Sequence, residues 1–187
     1  MEMLDPVWVW IARLSVTVLF AAAGLSKLWQ QAAFRDAVGA YDLLPRRAIA
    51  PVALVLAATE VAAAILLLWP AARWTGAILL GGLLLLFSAA IAINLARGRT
   101  DIDCGCWLFG ARQTEYRRGI GGATLARNAG LAALVLVASL PAQGRALAIM
   151  DWSIIVGGAL AALGLLMIAA QLAANGRRLA SLRAARS

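Results

Sequence analysis

"WTGAILLGGLLLLFSAAIAINLA", residues 74–96, carries no charged side chain along its whole length. A helix of this stretch, rising 1.5 Å per residue, is roughly 34 Å long and crosses a hydrocarbon core of about 30 Å. Its apolar residues form a run and do not alternate with polar ones, so it reads as a helix and not as a barrel strand. In lipid only segments that close their own backbone hydrogen bonds survive. Four further stretches share this character: 7–28, 48–69, 121–140 and 152–174. Arg127 and Asn128 interrupt the 121–140 stretch.

Composition agrees. The chain has 187 residues, 63% of them hydrophobic, and a mean hydropathy of +0.84. A soluble domain of this size is less apolar. Trp8, Trp10, Trp29, Trp69, Trp74, Trp107 and Trp152 fall at or near the ends of these stretches, where indole sits half in lipid and half in water. The leader "MEMLDP" is acidic, and Arg13 lies within the first apolar run. A cleaved signal peptide has neither feature. The expectation is an all-α, polytopic membrane helix bundle forming a single integral membrane domain over 1–187. About five transmembrane helices make it up, with a four-helix core.

The formal charge of +8 is read as topology and not as a nucleic-acid footprint. Lys27, Arg35, Arg46 and Arg47 cluster at the loop after the first span. Arg97, Arg99, Arg112, Arg117 and Arg118 cluster after the third, and Arg177, Arg178, Arg183 and Arg186 in the tail. The opposite side has Arg73 and Arg145. The positive-inside rule then places the N-terminus outside and the loop after the third span in the cytoplasm.

Within the first loop, Phe34, Val38, Tyr41 and Leu44 recur at helical spacing while Arg35, Asp36 and Asp42 lie off that stripe. This predicts an amphipathic surface helix that Pro45 ends. Spans two and three are joined by "PAAR" alone, a tight hairpin. Gly76, Gly81 and Gly82 in span three and Gly157, Gly158 and Gly164 in span five are read as points of close helix packing. Glu60, Arg13, Arg127 and Asn128 fall at membrane depth. Charges there cost at least about 2.5 kcal/mol unless paired. By depth, Glu60 is expected to pair with Arg13 or Arg127. The competing reading is a polar pocket, either for a quinone headgroup or for a proton route.

The loop between spans three and four holds the only two cysteines, Cys104 and Cys106, in "TDIDCGCWLFGAR", residues 100–112. The chain has no histidine, so a four-ligand zinc site within one chain lacks donors, and no metal site is expected. A bridge between Cys104 and Cys106 needs a bend, which Gly105 permits. So short a loop gains little as a staple, and strained bridges are the labile ones. Arg112 would lower a thiol pKa, while Asp101 and Asp103 would raise it. Reversible dithiol–disulfide chemistry at Cys104 and Cys106 is the reading that needs only what the loop contains.

"DCGC" between the third and fourth spans, "LARN" in the fourth, Glu60 in the second and "GLSKLWQQAAFRDAVGAYDLLP" after the first together resemble the MauE family, within the MauE/DoxX grouping of redox-associated membrane proteins. The resemblance covers roughly residues 10–140, leaving the fifth helix and basic tail at 141–187 outside it. "CGCWLFG" holds extra residues where the family pattern is shorter. The resemblance implies maturation of the methylamine dehydrogenase small subunit, a disulfide-rich periplasmic protein, with a thioredoxin-like partner such as MauD. The helix arrangement is also similar to that of vitamin K epoxide reductase and the bacterial disulfide-forming membrane enzymes, which pass electrons to quinones. Those use two cysteine pairs, and this chain has one, so a partner would supply the second.

Three functions therefore stand open: a membrane thiol–disulfide oxidoreductase acting on a disulfide-bearing protein, a non-catalytic scaffold of a maturation complex, and a small-solute transporter. The periplasmic role implied by the resemblance places the dithiol outside, opposite to the basic-residue count.

Overall fold

The computed structural model describes residues 5–100, 102, 119–142 and 145–184, with side chains of the last helix described as far as Leu172, Ala170 excepted. Its elements are α1 (Pro6–Trp29), α2 (Gln31–Ala40), α3 (Arg46–Leu68), α4 (Arg73–Ala96), α5 (Gly122–Ser139) and α6 (Ile149–Ala184). Among the described residues there is no strand. Five helices are long and apolar enough to cross a bilayer: α1, α3, α4, α5 and Ile149–Ala169 within α6. The chain is a multi-pass membrane protein, and the five apolar stretches appear as helices with ends shifted by a few residues.

Local chemistry sets these ends. The Asp5 carboxylate accepts a hydrogen bond from Val7 N–H at 2.9 Å, and Pro6 occupies the first turn of α1, where its missing N–H costs nothing. The expected surface helix is α2, and it stops at Ala40, earlier than Pro45. There Asp42 takes φ 53°, a left-handed conformation that Asp tolerates. Pro45 instead leads into α3. Phe34 and Ala37 turn α2 onto the bundle, while Arg35 and Asp36 stay exposed.

Helices α1, α3, α4 and α5 close into a four-membered ring, each packed on the next, and α6 packs chiefly on α1. The ring buries Val16, Leu19 and Phe20 of α1, Leu67 of α3, Leu80 and Leu84 of α4, and Val135 of α5. Alanines 12, 63, 64, 77 and 138 fill the remaining core positions. Large apolar side chains such as Ile78, Leu85 and Leu160 point outward, as expected where lipid is the solvent.

Close approach is concentrated at two glycines. A Cβ on Gly76 would lie 2.6 Å from Leu67 N and 2.7 Å from Ala63 O, so the hairpin of α3 and α4 closes backbone to backbone. A Cβ on Gly24 would lie 2.6 Å from Val61 Cγ2 and 3.1 Å from Ala57 O, which sets the α1–α3 crossing. Gly81, Gly82, Gly157 and Gly164 have nothing within 4 Å, and Gly158 meets only the flexible end of Ile11. Of the glycines expected to mediate packing, Gly76 does so against backbone, and Gly24 joins it.

Gly76→Ala should therefore destabilise the protein by about 1–3 kcal/mol, since backbone cannot yield. Gly82→Ala should be neutral or stabilising by up to about 1 kcal/mol, through helix propensity alone. Thermal unfolding in detergent compares the two, and equal midpoints would contradict the packing described.

Candidate functional site

Helices α1 and α3 run antiparallel. Thr17 Oγ1 donates to Ala64 O at 3.2 Å, and Gly24 faces Ala57 and Val61. Glu60 is thus level with the α1 segment between Thr17 and Gly24. A helical side chain leans toward the N-terminus of its own helix. Lys27 therefore leans inward from the C-terminal end of α1, and Glu60 leans outward along α3, so the two converge. Lys27 Nζ donates to Glu60 Oε2, forming an ion pair in which the residues are 5% and 3% exposed. The rings of Phe34 from α2 and Phe87 from α4 each lie with centroids 5.6 Å from Lys27 Nζ. The ammonium is held between a carboxylate and two aromatic faces.

Of the expected partners of Glu60, Arg13 is not one, and Lys27 meets it from α1 instead. Arg13 lies roughly 12 Å or more along α1 from the level of Glu60, at 1.5 Å per residue, and its side chain leans away. It donates from Nε to Ala138 O at 3.0 Å and from Nη2 to Leu140 O at 2.7 Å. Its Cζ stacks 4.9 Å from the centroid of Trp10. Lys27, assigned by sequence to the loop, is the cation that meets Glu60.

A second polar string runs beside the pair. Arg127 Nη2 donates to Asn128 Oδ1 at 3.3 Å, and Asn128 Nδ2 donates to Ser88 Oγ at 3.1 Å, next to Phe87. Asn94, fully buried, donates from Nδ2 to Tyr41 O at 3.2 Å and Ala90 O at 3.1 Å, tying α4 to the end of α2. Sequence reasoning passed over Asn94 and Lys27. Each had a signal: Asn94 is the one amide in an otherwise apolar run, and Leu28 and Trp29 continue the apolar run beyond Lys27.

The same end of the bundle receives the cysteine loop. Ile102 packs with Ile91 and Ile120, flanked by Tyr41, Leu95 and Leu125. Ile120 N–H donates to Thr100 O at 2.9 Å, and Gly119 lies so close that a Cβ would stand 2.5 Å from the same oxygen. Cys104, Cys106, Asp101, Asp103, Gly105 and Arg112 lie outside the described residues.

At the opposite end, Arg73 Nε donates to Ser139 O at 3.2 Å and Nη1 to Pro70 O at 2.9 Å. Arg145 grips Asp151 through both carboxylate oxygens, at 2.5 and 2.7 Å, and reaches Asp5 at 3.5 Å. The hydrogen bonds to Asp151 hold the Arg145 guanidinium above its ordinary range. Among the described residues, no group of three His, Cys, Asp or Glu side chains could hold a metal ion. A quinone carbonyl needs a donor reachable from lipid. Lys27, buried and committed to Glu60, does not provide one, so the pair does not fit that group.

A ring of four helices, a fifth on its flank and a charged pair sealed inside define a polytopic helical-bundle membrane protein. Residues 6–141 match the family described as "Methylamine utilisation protein MauE". The chain is 42% identical over 140 residues to the methylamine utilization protein MauE of Paracoccus versutus, covering 74% of this chain and 73% of that one. It is 41% identical over 111 residues to that of Paracoccus denitrificans (59% of this chain, 60% of that one). With that of Methylophilus methylotrophus it shares 45% over 102 residues, 54% of each. The chain thus spans less than two thirds of the length of the latter two curated relatives. It belongs to the MauE family. No solved structure matches it.

Removing one member of the buried pair takes the opposite charge away from the other, which typically costs about 3–5 kcal/mol. Lys27→Met and Glu60→Gln should each lower the unfolding midpoint in detergent sharply. The double variant Lys27→Met/Glu60→Met should recover most of the loss, and two independent, additive losses would refute the pairing.

Proposed function

We propose that the chain is a membrane thiol–disulfide redox protein serving methylamine utilisation, with Cys104 and Cys106 as its redox pair. The observation that carries this reading is the anchoring of the segment around the dithiol. Ile102, two residues before Cys104, and Ile120, beyond the loop, are packed together at one end of the bundle. The chain thus leaves and re-enters the bundle at one end, the end at which a docking protein would meet the segment that carries the dithiol.

The chemistry balances without an added oxidant. Cys104 and Cys106 give up two electrons and two protons as their S–S bond forms. A disulfide in a thioredoxin-like partner takes up both and opens to two thiols. Run in reverse, the same exchange reduces the loop. The disulfide-rich protein matured is the methylamine dehydrogenase small subunit, a reading supported by the methylamine utilisation for which the relatives are named. No step is routed through a quinone.

Arg35, Arg46, Arg47, Arg97 and Arg99 gather at the dithiol end, which by the positive-inside rule faces the cytoplasm of a bacterial inner membrane. Lys27 drops out of that tally because it is neutralised inside the bundle, and the bias survives its loss.

Cys104→Ser and Cys106→Ser should each abolish maturation of the methylamine dehydrogenase small subunit while leaving the unfolding midpoint unchanged. Thiol trapping after oxidation should show the wild-type pair bridged. A pair that stays reduced under strong oxidant, or full maturation in both variants, overturns the proposal. Resistance of the thiols to an impermeant maleimide in intact cells is the outcome expected of a cytoplasmic dithiol, which meets the small subunit only before its export, whereas labelling overturns that orientation and puts the dithiol on the periplasmic face.

A further inference from the structure

The end of the bundle opposite the dithiol carries an unbalanced charge. Arg13 and Arg73 converge on three successive carbonyls at the C-terminus of α5, those of Ala138, Ser139 and Leu140. Their donors reach carbonyls of adjacent residues, so two like charges share one helix end and repel each other. A helix C-terminus offers only about half a negative charge, against two full positive ones. Neither guanidinium meets a carboxylate among the described residues, because Asp5 and Asp151 are taken by Arg145. Arg13 is 3% exposed and boxed in by Trp10. Arg73 is only partly buried, and its Nη2 has no hydrogen-bond partner among the described residues. Trp69 and Trp74 stand exposed beside it, at the depth where indoles meet headgroups.

We propose that Arg73, with Arg13 behind it, holds a phosphate oxyanion at this end of the bundle. Guanidinium presents a planar fork of donors that matches phosphate oxygens. A single negative charge there relieves the repulsion between the two arginines and leaves their carbonyl bonds intact. The oxyanion can arrive as the phosphodiester of a lipid headgroup or as free phosphate. Arg73 is a binding residue in this assignment, and Arg13 acts through the field alone. The inference does not rest on the redox reading, since it involves neither cysteine.

The test uses the whole chain in detergent, supplied separately with phosphatidylglycerol, inorganic phosphate or diacylglycerol, which has the lipid tails without the phosphate. Phosphatidylglycerol should raise the unfolding midpoint saturably and form adducts in native mass spectrometry, and diacylglycerol should do neither. A matching shift with inorganic phosphate identifies the free ion as a ligand, and its absence identifies the lipid as the source. Arg73→Gln should weaken adduct formation about tenfold or more, the loss of one charge-assisted contact. Arg73→Lys, which keeps the charge without the fork, should weaken it less than Arg73→Gln, and Arg145→Gln should leave it unchanged. Equal shifts from diacylglycerol, no shift from phosphatidylglycerol, or undiminished adducts in Arg73→Gln overturn the assignment. Should Arg73→Gln fail to fold, the three-ligand comparison on the wild-type chain decides by itself.

Discussion

Lys27 and Glu60 meet where neither can be hydrated, and much of the bundle is arranged to allow it. A charge left alone at that depth costs at least about 2.5 kcal/mol, so the pair must form and must be walled. Gly24 lets α1 approach α3 closely enough for the two side chains to reach one another. Phe34 brings α2 down onto the pair, and Phe87 closes it from α4. The surface helix is therefore held by the charged interior as well as by the apolar contact of Phe34 with Ala53 and Ala57.

A second constraint explains why an arginine sits inside the first span. Helix α5 has 18 residues, about 27 Å at 1.5 Å per residue, which is short of the roughly 30 Å hydrocarbon core. Its last carbonyls have no partner within the helix and need donors from elsewhere. Arg13 and Arg73 supply them, from α1 and from the start of α4. The polar residue that looks costly in one helix is the completion of another.

Spans were legible in the sequence because length and hydropathy alone decide them, and the 74–96 stretch needed nothing else. Partners were not legible, for a geometric reason. Depth counted from span ends treats each residue as a point on its axis, whereas side chains lean about a turn toward the helix N-terminus. In antiparallel helices that lean brings Lys27 and Glu60 together and sends Arg13 the other way. The glycines show the same limit. Gly76 and Gly82 occupy the same apolar run, but only the helix crossing shows that one is pressed against the backbone of α3 and the other faces open space. In sequence Pro45 looks like a stop, because proline ends helices. It equally begins them, and the turn at Asp42 had already ended α2.

The two ends of the bundle are built to different ends. At one, arginines are spent on helix carbonyls and on Asp151, and the tryptophans mark a fixed interface. At the other, the charged pair is sealed a turn beneath the apolar cluster of Ile91, Ile102 and Ile120. That sealing bears on the proposed redox role. A buried lysine–glutamate ion pair carries no electrons and is not open to lipid, so its role is to hold α1, α2, α3 and α4 together at this end. A single dithiol holds two electrons, and once oxidised it is inert until another couple reduces it. With two cysteines in the whole chain, the proposed exchange needs its second couple from another protein, and the end of the bundle where Ile102 and Ile120 pack is where such a protein would dock.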